Sequence, residues 1–186
     1  MKTTTKQTHL YSNTDLRKLL IPIIIEQLLS SLMGTVDTMM VSNVGSAAIS
    51  AVSLVDSINI LVIQALSALA AGGAIVCAQY IGQKNVKRAN ESARQVLFII
   101  TAISVVISLI CLVFQKPMLR LIFGSVEAEV MRASEIYFFY TALSFPFIAA
   151  YDSAASIFRA QDNTKGPMLI SMISNAVSYT HLTLPT

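Results

Sequence analysis

The stretch 96–114, VLFIITAISVVISLICLVF, runs for nineteen residues without a charged side chain. As a helix it would be roughly 28 Å long, close to the ~30 Å hydrocarbon core of a bilayer. Inside that core peptide groups can bond only to one another, so a chain crosses as a helix or as a strand of a closed barrel. The stretch is continuously apolar and does not alternate, which excludes the barrel strand. Three more blocks read the same way, over 19–41, 58–81 and 136–158. A fifth begins at Met168 and is interrupted after Val177. Composition agrees: 54% of residues are apolar and 12% charged, against roughly 25% charged in soluble domains. The expected fold class is an all-α integral membrane protein, a polytopic helix bundle with a multi-pass topology.

The charges sit between the blocks. Lys2, Lys6, Arg17, Lys18, Lys84, Lys87, Arg88, Arg94, Arg159 and Lys165 fall on one side, and only Lys116, Arg120 and Arg132 on the other. The positive-inside rule places the N-terminus in the cytoplasm and the chain in the cell membrane. Charges arranged this way do not form a basic stripe with interleaved aromatics, so nucleic acid is not the expected partner despite a net charge of +3. Cys77 and Cys111 both lie within apolar blocks and read as small buried hydrophobes. The segment KPMLRLIFGSVEAEVMRASE reads as an interfacial amphipathic helix followed by a capped helix start. No short-period repeat is evident.

Polar groups inside the blocks need a reason, since each charge costs about 2.5–3.5 kcal/mol on insertion scales. The first block carries Glu26 and Asp37, eleven residues apart. At 100° per residue that is about 20° from alignment on one helix face, with about 16 Å between them along the axis. Ser30 and Gly34 stand between them. Such a face should meet other helices or a water-filled cavity. Alternatively, Glu26 snorkels to the cytoplasmic surface and Asp37 meets water at the outer one. Asp56 reads as a helix cap. Asp152 reads as pairing with Arg159 or with a neighbouring helix. Gln64 and Gln79 read as interhelical hydrogen-bonding groups, and Gln64 also as a possible cavity residue. The run SALAAGGAIVCAQ allows close helix approach.

Catalytic patterns are missing. His9 and His181 lie outside the blocks, and there is no Cys/His metal spacing, phosphate loop or nucleophile elbow. The chain does not read as an enzyme. Buried carboxylates in a helix bundle can bind a proton or metal cation reversibly, which is what ion-coupled transport requires.

PIIIEQLLSSLMGTVDTMMVSNVG, then AISAVSLVDSINIL, GGAIVCAQYIGQKN, SARQVLF and FRAQDNTKGPM together resemble the start of a MATE (multidrug and toxic compound extrusion) transporter, over about residues 15–175. The resemblance implies two six-helix lobes around a cavity, of which this chain would be the first part of the N-terminal lobe. It implies export of organic cations and amphipathic drugs in exchange for Na+ or H+, with no other cofactor. It also implies that a second lobe of the same protein is the missing partner. Asp37 would be the cation-coupling residue of the first helix and Asn175 that of the fifth, both acting as metal ligands if the ion is Na+. A second Asn or Asp one turn after Asn175 would complete the site, but Tyr179 stands there. Glu26 matches an EQL found in many bacterial relatives and, with Gln64, is a candidate cavity or relay residue. A lipid-linked saccharide flippase, expected to use a cationic cavity, and a non-transporting membrane module are the competing readings.

The last residues, VSYTHLTLPT, back-translate in frame into the transposon-end adapter used in sequencing libraries. The expected organisation is therefore a cytoplasmic segment over 1–18, a transmembrane lobe over 19–175 with four full helices and part of a fifth, and an adapter-derived tail over 176–186.

Overall fold

The computed structural model describes residues 13–42, 45–124 and 126–183; the side chains at 37, 40, 42 and 178–183 lie outside that description. The described residues form six helices: α1 (Asn13–Ser42), α2 (Ser46–Gly82), α3 (Val86–Val113), α4 (Gln115–Phe123), α5 (Ala128–Ala160) and α6 (Lys165–Thr183). Three are long and apolar enough to cross a membrane: α1 over Asn13–Val36, α2 and α3. At 33 residues α5 is long enough too, but it is more polar, with Tyr137, Ser144, Asp152 and Arg159 along its length. It packs against both α2 and α3, which also pack on each other. Helix α1 lies mainly against α6.

Two apolar layers hold the centre. One joins Val55 of α2, Cys111 of α3, Leu119 of α4 and Phe138 and Phe145 of α5. The other joins Leu66 and Ala70 of α2, Ile100 of α3 and Ala149 of α5. The short α4 is the expected amphipathic connector, and its Leu119 is fully buried. Small residues let α2 and α3 approach closely. A Cβ placed on Gly73 would stand 2.5 Å from Cγ1 of Val96, a contact that real side chains do not make. At Gly72 the same atom would meet nothing within 4 Å.

Two helix connections are built alike. After α2, Asn85 N donates to Tyr80 O and Lys84 N to Ile81 O; after α5, Asn163 N donates to Phe158 O and Asp162 N to Arg159 O. These are paired six-to-one and five-to-two closures around one left-handed residue, Lys84 at φ 56° and Asp162 at φ 59°. The following Asn then accepts from the next helix: Asn85 Oδ1 from Arg88 N, and Asn163 Oδ1 from Gly166 N. The underlying pattern is QKNVK and QDNTK, a loop that recurs in the sequence although no short-period repeat is evident there.

Several expectations change. Helix α1 starts at Asn13, six residues before the apolar block, and α2 starts at Ser46 where 58 was expected. No proline or glycine interrupts AAISAVSLVDSIN, so the polar residues are carried inside the helix. Asp56 is therefore an interior helix residue and caps nothing. Glu127, at the start of α5, makes no side-chain cap bond. The apolar run of the fifth block is interrupted after Val177, but the helix is not: α6 continues to Thr183. Nothing between Val177 and Thr183 is a helix breaker; the next proline is Pro185.

Candidate functional site

Glu26 is buried within α1, at 6% exposed. Its Oε1 accepts from Arg159 Nη2 at 2.9 Å and from Tyr151 OH at 3.3 Å, both on α5. It does not snorkel to the surface. Arg159, counted above among the loop cations, closes the last turn of α5 and neutralises Glu26. Glu26 Oε2 and Arg159 Nε are buried without hydrogen-bond partners among the described residues. Asp152 bonds instead to Ser67 of α2, the second of the two pairings weighed for it.

The N-terminal side of this cluster also fixes α6. Thr164, just before α6, donates to the Lys18 carbonyl at 3.5 Å. Both helices run onward from that contact. Asn175 lies eleven residues beyond Thr164, and Asp37 nineteen residues beyond Lys18. At ~1.5 Å per residue, Asp37 stands roughly 12 Å further along the bundle than Asn175. Asn175 is half-buried, and its Nδ2 has no hydrogen-bond partner among the described residues. The side chains of Asp37 and Tyr179 lie outside the described residues.

A cleft of about 860 Å³ opens between α1, α2 and α5. Ser30 and Gly34 of α1 line it, as expected for the face between the two carboxylates, together with Gln27. From α2 come Asp56, Asn59 and Gln64, and from α5 Tyr137, Thr141 and Ser144. Gln64 is thus a cleft residue. Neither it nor the exposed Gln79 makes a side-chain hydrogen bond to another described helix. Among the described residues no lysine or arginine lines the cleft, and Asp56 is the one charged group there. Asp56 Oδ1 accepts from Tyr137 OH at 3.1 Å and from Asn59 Nδ2 at 3.3 Å. Asn59 is 6% exposed, and its Oδ1 has no hydrogen-bond partner among the described residues.

Asp56, Asn59 and Tyr137 were not singled out as site residues from the sequence. The available signal was VDSIN, which puts Asp56 and Asn59 at i and i+3 on one helix face. A second hollow, of about 900 Å³, is lined by α3 alone, with Glu91, Arg94 and Gln95 among its lining residues.

Residues 22–182 match the MatE family. The fold is similar to that of a MOP superfamily transporter from Pyrococcus furiosus, whose binding pocket is described as having a reverse polarity that suggests a different function. The TM-score is 0.80 at 21% sequence identity, over 87% of this chain and 35% of the other. The chain thus spans about a third of that transporter's length.

Proposed function

We propose, from the premise that this chain belongs to the MatE family of membrane transporters, that it is part of a cation-coupled antiporter exporting organic cations and amphipathic drugs across the cytoplasmic membrane. The observation that carries this reading is the cleft between α1, α2 and α5, whose described residues bring one carboxylate, several neutral polar groups and no basic side chain. A cavity of that character attracts cations and repels the phosphate head group that a lipid-linked saccharide flippase must hold. Arg159 of α5 is paired with Glu26 and is not among the described residues that line the cleft.

Coupling is assigned to Asp37 of α1, with Na+ or H+ as the ion; Asn175 of α6, roughly 12 Å away along the bundle, stands too far along to share that ion in this packing. Neutralising Asp37 in a low-dielectric bundle lowers the cost of one packing of the helices relative to another. The ion shifts the equilibrium only by its differential affinity for the two packings. The N-terminus faces the cytoplasm, and the second lobe of the protein supplies the other wall of the cavity.

The test is an ion-flux measurement on the full-length protein in proteoliposomes. Adding a cationic dye on one side should drive counter-movement of Na+ or H+ with dye transport. Dye-independent ion movement, or flipping of a lipid-linked saccharide without dye transport, would contradict the antiport reading.

A further inference from the structure

We infer that Asp56 and Asn59 form a recognition site for cations that carry N–H groups, selecting protonated amines over quaternary ammonium ions of equal charge. This rests on the reading that the protein exports organic cations, and adds which of them it holds.

Three features of the cleft carry the inference. The Asp56 carboxylate is positioned by two donors on one oxygen, Tyr137 OH from α5 and Asn59 Nδ2 from its own helix. Its second oxygen has no hydrogen bond among the described residues. Because Asn59 points its amide nitrogen at Asp56, its Oδ1 is left as a buried acceptor without a donor. A buried acceptor without a donor is costly, and a ligand that supplies the donor removes that cost. Finally, Tyr137 and Phe145 give the same cleft an aromatic wall, and among the described residues no basic side chain competes for the carboxylate.

A protonated primary amine brings charge and donors together. On this inference one N–H is held by the Asp56 carboxylate and another by Asn59 Oδ1, whose residues line the one cleft. A trimethylammonium group offers charge alone and leaves Asn59 Oδ1 unsatisfied. A site without free acceptors would prefer the quaternary ion, because the amine has more hydrogen bonds to water to lose. The sign of the preference therefore reports on the free acceptors of the cleft, and its change on replacing Asn59 reports on Asn59.

The test uses benzylammonium and benzyltrimethylammonium, titrated by calorimetry into the full-length protein in lipid nanodiscs. The expected result is benzylammonium bound about tenfold more tightly or better. In N59L that ratio should fall severalfold, the Asp56 carboxylate retaining the remainder, and D56N should weaken both probes. Far-ultraviolet circular dichroism would confirm that each variant is folded. Equal affinities in the unsubstituted protein would overturn the proposal without any variant, and so would a preference unchanged in N59L. If neither probe binds while a larger cationic dye is still exported, the recognition site is wrong and the export reading stands. If the dye is not exported either, both fall.

Discussion

Glu26 and Arg159 join α1 to α5 through a pair at 2.9 Å, with Glu26 almost fully buried and Arg159 partly exposed. Removing one partner of a buried pair costs about 3–5 kcal/mol, whereas replacing both with apolar groups is often close to neutral. Arg159→Ala should therefore destabilise the bundle by about 3 kcal/mol, the lower figure because solvent reaches Arg159. The double replacement Glu26→Leu with Arg159→Leu should recover most of that loss. A double-mutant cycle on the denaturation midpoint in detergent measures this. Additive losses in the double variant would mean the pair does not hold the helices together. The sequence placed Glu26 on an inward face but could not name its partner. The separation of 133 residues carries no local signal, and the nearer Asp152 was an equally good match for Arg159 until Ser67 was seen to hold it.

At the scale of elements, apolar block length located every long helix, because each unbroken run must satisfy its own backbone inside a bilayer. The same signal misplaced the start of α2 by twelve residues, since Asp56 and Asn59 look like a boundary when only hydropathy is read. Their polarity is accommodated inside the helix by Tyr137, which lies 81 residues away from Asp56. The cleft was legible only as a face on α1, where Ser30 and Gly34 lay between two carboxylates; its α2 and α5 walls depend on tertiary packing. The small-residue run of α2 gave a firmer expectation, and Gly73 against Val96 is where it applies. Gly73→Val should cost about 1–3 kcal/mol by overpacking the α2–α3 contact. Adding Val96→Ala should restore part of the loss by removing the two methyl groups in the way. Thermal unfolding of both variants in detergent checks this, and an unchanged midpoint for Gly73→Val would show that the helices can move apart freely.

For the whole molecule, the outward faces remain apolar: Leu28 is 60% exposed, Leu32 63% and Phe147 76%. Surfaces of this kind belong against lipid or another helix layer, in keeping with a chain that spans about a third of the similar transporter's length. Polar groups are turned inward, to the Glu26 pair and to the acidic cleft, and the antiport reading depends on that separation. Its central claim is that the carboxylate of Asp37 couples ion entry to export. The direct measurement is dye efflux from proteoliposomes containing the full-length protein, driven by an imposed Na+ or H+ gradient, with and without Asp37→Asn. The account predicts a variant that inserts and folds normally but shows no gradient-driven efflux. Efflux that keeps its normal dependence on the ion gradient in Asp37→Asn would contradict it.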